Sequence, residues 1–146
     1  MVAIVESPLQ FLSAMEVCES PTLFCYDSAT MRDFVEKLPL SFLSGVNVEW
    51  GLPALSTFVS AENVLVGDLN SGSFQQLLVR ARGKIPALTV VDDGRATIMA
   101  FENVVSQKPL VRSRVSNSAA RVALGRVASR VLYTHAQRGH ITWFTA

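Results

Sequence analysis

At 146 residues, 49% hydrophobic and 17% charged, the chain is too apolar to be disordered and long enough to bury a core without disulfides. Its uncharged stretches, such as Leu38 to Asn47, are broken by Pro, Gly or Ser and fall short of the ~20 apolar residues of a membrane-spanning helix. The net charge of +1 hides an asymmetry: residues 1–102 carry 12 acids and 6 bases, residues 103–146 carry 7 bases and no acid. The basic final third therefore matches either the acidic body or an anionic partner.

The first apolar run, Val2-Ala3-Ile4-Val5, has no polar alternation and predicts a strand buried on both faces. Glu6 and Pro8 cut it short, so no signal peptide is expected. Ser7-Pro8 has the form of an N-cap followed by the first helical residue, and a helix to about Val17 is expected, with Leu9, Leu12 and either Phe11 or Met15-Glu16 at helical spacing. The unit then recurs. Thr22 to Tyr26 predicts a strand, Asp27-Ser28 a cap, and Thr30 to Leu38 a helix with Met31, Phe34, Val35 and Leu38 on one face. A third strand is expected over Val46 to Trp50 and a short helix near Leu55 to Val59. Asn63 to Gly67 predicts a fourth strand, Ser73 to Ala81 its helix, and Ala87 to Val91 a fifth strand ending in Asp92-Asp93-Gly94. A long basic helix within Ser116 to Tyr133 and a last strand, Ile141 to Phe144, complete the series.

Strands alternating with helices predict an α/β fold, a Rossmann-like three-layer α/β/α sandwich with a mostly parallel sheet of about six strands, over residues 1–146 as one domain. Functional loops in such a sheet lie at the carboxyl ends of the strands. Here those ends are polar, and three of the four that stand out contain aspartate.

Asp92-Asp93-Gly94 is the sharpest local feature. Two adjacent carboxylates at a buried strand end push one pKa upward, toward the range of a general base. Gly94 permits a backbone turn that lets a substrate come close. The same tripeptide also suits a plain turn. Ser7 and Gln10 open a helix whose free N–H groups attract anions or sugar hydroxyls, or simply cap it. The loop Gly67 to Ser73 offers Asn70 and Ser71 for hydroxyl recognition, with turn and capping chemistry as the alternative. Neither a G-x-G-x-x-G fingerprint nor a phosphate loop occurs.

In the basic stretch, Val115, Ala119, Val122, Ala123, Val127 and Val131 supply a packing stripe, and the arginines read as the solvated face of a docked helix or as an anion-facing surface. No aromatic residues interleave them, so no nucleic-acid partner is expected. His135 and His140 are expected at the surface or in loops, with no metal site. Cys18 and Cys25 are too few for a secreted disulfide scaffold and behave as small buried hydrophobes, which suits a reducing cytosol.

Val5-Glu6-Ser7-Pro8-Leu9-Gln10 together with Val90-Val91-Asp92-Asp93-Gly94-Arg95-Ala96-Thr97 resembles the N-terminal half of bacterial sialyltransferases and polysialyltransferases. Ile141 to Thr145 is similar to the strand before their interdomain crossing. The resemblance spans nearly the whole chain in order and spacing, but only the Ser-Pro-Leu-Gln and Asp-Asp-Gly segments are specific. It implies one of two facing Rossmann-like domains of a GT-B glycosyltransferase, with inverting transfer from CMP-sialic acid. Asp92 or Asp93 would be the general base, and Ser7, Gln10, Asn70, Ser71 and Gly94 would contact the substrate. No cofactor is implied beyond the CMP-sugar donor, which the family's second half binds through a His-Pro motif. His135 is followed by Ala136 and His140 by Ile141, so this chain is expected to be the acceptor-side half, inactive alone. Its partners would be a glycan acceptor and the donor domain, or a second copy through the exposed cleft face. The expected location is cytoplasmic, at the inner membrane face if membrane-associated. The rival expectation is a stand-alone Rossmann-like regulatory domain that recognises an anionic ligand.

Overall fold

The computed structural model describes residues 1–81, 83–91, 94–112 and 116–144. Among them the elements run β1 (Val2–Val5), α1 (Pro8–Val17), β2 (Thr22–Cys25), α2 (Ala29–Glu36), β3 (Asn47–Trp50), α3 (Leu55–Ser60), β4 (Asn63–Val66), α4 (Gly72–Arg80), β5 (Ala87–Val91), α5 (Arg95–Val105), α6 (Ala119–Gln137) and β6 (Ile141–Phe144). The strands form one all-parallel sheet in the order β3-β2-β1-β4-β5-β6. This is the Rossmann-like three-layer sandwich that the alternation of elements predicts. Chain direction across the sheet reverses between β1 and β4, which makes their carboxyl ends the topological switch point.

The helices are distributed unequally over the two faces of the sheet. On one face α1 and α2 bury Phe11, Ala14 and Met31 against Ala3, Val5, Leu23, Cys25, Leu65 and Val91. On the other, α3 to α6 bury Phe58, Phe74, Leu77, Ala100, Ala128 and Leu132 against Ile4, Val64, Val66, Leu88 and Val90. Each large apolar side chain so enclosed contributes about 2–3 kcal/mol of transfer free energy.

Four expectations are corrected. Leu9 and Leu12 lie on the outside of α1, at 55% and 37% exposure, while Gln10, Phe11 and Ala14 face the sheet. The N-terminus sets this phase: the Ser7 hydroxyl caps Gln10 N–H at 3.3 Å, and Gln10 turns its side chain back to the Glu6 N–H at 2.8 Å. Helix α5 has no counterpart among the predicted elements. Its exposed Ile98, Met99, Phe101 and Val105 surround the buried Ala100 and Val104, so apolar residues occupy most of its circumference and blur the 3.6-residue period. Helix α6 packs through Gly125, Ala128, Ser129 and Leu132, while Val127 is exposed. Val115 of the expected stripe lies outside the described residues. Finally, His135 is buried, with Nε2 2.8 Å from the Pro86 carbonyl, and only His140 is at the surface.

Gly125 explains the rotation of α6. The Leu110 N–H donates to its carbonyl at 3.1 Å, and a Cβ on Gly125 would lie 2.5 Å from the Leu110 oxygen. Small residues let the α5–α6 connection press against the helix. That connection carries Arg112 back over the sheet's carboxyl rim.

Candidate functional site

Register builds the site. Ile4 pairs with Val66 in adjacent parallel strands, and the Gly67 N–H donates to the Ile4 carbonyl at 3.0 Å. Two residues further along each chain, Glu6 and Asp68 stand side by side at the switch point. Both accept from one nitrogen: Arg112 Nη2 is 3.0 Å from Glu6 Oε2 and 2.7 Å from Asp68 Oδ2. The two carboxylates are largely covered, with side-chain exposures of 16% and 15%, whereas Arg112 is mostly in solvent.

Each carboxylate has a further polar neighbour. Asp68 Oδ1 accepts the Asn70 N–H at 2.8 Å, closing an Asx turn. The Ser71 hydroxyl lies near enough to Glu6 to lower its pKa, and Ser71 caps α4 through the Phe74 N–H. Burial pushes the Glu6 carboxyl above its ordinary range. The Ser71 hydroxyl pulls it back, the Asp68 charge raises it further, and Arg112 lowers it. Arg112 itself is held firmly protonated, chiefly by its hydrogen bond to Asp68.

The carboxylates stand on the wall of a cleft of about 850 Å³ along the carboxyl ends of the strands. Three helix N-termini reach it, through Ser7 and Pro8 of α1, Ser28 and Thr30 at the start of α2, and Arg95 and Ala96 of α5. Tyr26, 53% exposed, forms an aromatic edge, and Met99 an apolar patch. Hydroxyls, carboxylates, guanidiniums and one aromatic ring thus meet around a space of ligand size. Among the described residues, no group of three or more potential ligands could hold a metal ion.

The residues singled out from sequence are distributed as follows. Ser7, Gln10 and Asn70 line the cleft. Gln10 is nearly enclosed, and its neighbour Gly67 comes so near that a Cβ there would meet Oε1 at 2.2 Å. Asn70 is 8% exposed, and its Oδ1 has no hydrogen-bond partner. Ser71 sits behind Glu6 and is also buried. Gly94 caps α5 at φ +107°, a conformation that glycine tolerates and other residues resist, and Arg95 and Ala96 just after it line the cleft. Asp92 and Asp93 lie outside the described residues, as does Arg114 of the basic stretch.

No known family, curated protein or solved structure matches this chain.

Sequence reasoning did not single out Glu6, Asp68 or Arg112 as a unit. Glu6 and Asp68 are visible as strand-end acids, but nothing in the chain signals that residue 112 returns to them across 106 and 44 residues. A buried polar cluster supports this return. Arg121 Nη1 donates to Gln75 Oε1 at 2.6 Å and Nη2 to the Asn70 carbonyl, while Gln75 Nε2 donates to the Leu69 and Leu110 carbonyls at 2.7 and 2.9 Å. The 67–71 loop and the α5–α6 connection are therefore fixed to each other behind the cleft.

Proposed function

We infer that the chain is the acceptor-binding half of a sialyltransferase-like glycosyltransferase, with the cleft as the acceptor site. One observation carries this reading: the switch-point cleft lies between the Ser-Pro-Leu-Gln turn after β1 and the start of α5, directly after the Asp-Asp-Gly segment. These are the two segments on which the family resemblance rests. The lining chemistry also suits a saccharide, since serine and threonine hydroxyls, carboxylates and an exposed tyrosine ring bind hydroxyls and the apolar faces of sugar rings.

In this reading Asp92 or Asp93 takes the proton of an acceptor hydroxyl. The hydroxyl oxygen bonds to the anomeric carbon of the donor sugar as the bond to the CMP phosphate breaks, and the configuration inverts. Binding of the nucleotide falls to a donor domain, and a cytoplasmic location accompanies a CMP-sugar donor. No described helix is long and apolar enough to cross a membrane. The rival anionic-ligand reading is disfavoured at the switch point itself, where two carboxylates face a single guanidinium.

The test is transfer from CMP-sialic acid to a panel of glycan acceptors by the protein expressed from its complete gene. Replacing Asp92 and Asp93 together by Ala should lower kcat at least ~100-fold while leaving the fold intact by circular dichroism. Retention of the full rate in that double variant overturns the assignment of the base. Absence of transfer with every acceptor overturns the enzymatic reading.

A further inference from the structure

Four of the thirteen large apolar side chains left exposed among the described residues stand on the eleven-residue helix α5, and no other helix or strand carries more than two. They are Ile98, Met99, Phe101 and Val105. Apolar exposure concentrated in this way marks an interaction surface. The charges of α5 are unusual as well. Arg95 is its first residue and Glu102 lies in its last turn, with no acid in the first turn and no base in the last. Both charges oppose the helix dipole, which favours the reverse placement. Among the described residues neither side chain forms an ion pair. About 10 Å of helix axis separates them, too far for the two to meet each other. Arg95, Ile98, Met99 and Glu102 stand at i, i+3, i+4 and i+7 and so share one face. All four are exposed.

We propose that this face joins two copies of the chain, with α5 packed antiparallel on the α5 of its partner about a two-fold axis between Ile98 and Met99. Self-complementarity identifies the occupant. An axis at that point sets each Arg95 across from a Glu102 and each Ile98 across from a Met99, so an ion pair closes either end of an apolar centre. The two charges that weaken the isolated helix thereby stabilise the pair. Phe101 and Val105, three and seven residues after Ile98, extend the apolar side of the seam. A lipid surface or a polyanion fits less well, because the face carries an acid as well as a base. Eleven residues make a helix about 16 Å long, and one helix pair covers less than the ~800 Å² per partner of a standard stable interface. The dimer is therefore weak, with a dissociation constant of about 10–100 µM. Arg95 and Met99 also line the cleft, so the contact borders the candidate site without depending on the acceptor-site reading.

Sedimentation equilibrium of the 146-residue chain, from about 5 to about 500 µM, should show a monomer–dimer equilibrium. Arg95→Glu and Glu102→Arg each create two like-charged pairs and should each weaken dimerisation at least ~10-fold. Both changes suit the helix dipole, so the loss does not come from melting of α5, and circular dichroism checks this. Mixed in equal amounts, the two single variants should form a heterodimer with an affinity within ~3-fold of the wild type, because every acid then meets a base. Ile98→Asp should weaken the wild-type dimer at least ~10-fold by charging the apolar centre. A chain that stays monomeric at the highest concentration overturns the proposal. A dimer of unchanged affinity in both single variants overturns it too, since the contact then lies elsewhere on the molecule. Failure of the mixture to recover affinity overturns the antiparallel pairing of Arg95 with Glu102.

Discussion

Gly67 and Gln10 show how closely single residues are fitted at the switch point. The Gln10 carboxamide satisfies the Glu6 N–H and occupies the space a side chain at 67 would need. Gly67→Ala must expel it, leaving a covered N–H unpaired and a side chain displaced. We expect a loss of about 1–3 kcal/mol in denaturant unfolding. Glu6 itself works against stability at neutral pH. Its folded-state pKa is raised, chiefly by burial, so the folded protein holds this proton more tightly than the unfolded chain. That stabilising contribution is present below the ordinary carboxylate pKa and is lost as pH rises through the folded value. Glu6→Gln should therefore gain in melting temperature relative to the wild type as pH is raised from about 4 to about 7; a difference that shrinks over this range contradicts the sign.

At the scale of elements, α6 depends on a close approach and on one polar cluster. Gly125→Ala would set a Cβ against the Leu110 backbone, which cannot give way as a flexible side chain would. Arg121→Met would strip Gln75 Oε1 and the Asn70 carbonyl of their donor, at a cost of about 1–3 kcal/mol in unfolding free energy. Burial weakens the proton affinity of Arg121, and Arg112 adds to the effect, so its charge is tolerated only because these acceptors are in place. Much of this level was legible in advance. The strands β1, β2, β4 and β5 announce themselves as runs of branched and aromatic residues, and Ser7 and Ser28 as caps, while the cap of α4 stays open between Ser71 and Ser73 until the structure sets it at Ser71. What escaped were features decided by contacts distant in the chain. Helix α5 has apolar residues nearly all round because Phe101 meets Trp143 edge-on, at 5.0 Å between ring centres, while Ile98 and Val105 stay outside. The buried face of α6 joins the small residues Gly125, Ala128 and Ser129 to Leu132 and His135, and the Leu110 segment leaves room for nothing larger than glycine at 125.

For the whole molecule, the opposed charges of body and tail resolve into one contact. The basic final third sends Arg112 to two acids of the body, so the asymmetry visible in the composition is partly an internal match. With Arg112→Ala, two carboxylates would face each other at the switch point. The variant should lose about 1 kcal/mol near neutral pH, a small figure because Arg112 is well exposed. That deficit should shrink as pH falls and Glu6, whose pKa burial raises, takes up a proton. Thermal melts at several pH values check this, and a deficit that is constant with pH would mean that packing of the arginine stem outweighs its charge.

The polar cluster around Gln75 and Arg121 also determines how the rim of the cleft opens. Gln75 joins the Leu69 and Leu110 backbones with its two amide hydrogens, so neither segment can lift without uncovering the other. The two should behave as one breathing unit, with the Leu110 and Gln75 amides exchanging with solvent deuterium at a shared rate, well ahead of strands β1 and β4. Access to the acids at the end of the sheet would then be timed by an opening event seated behind the cleft wall.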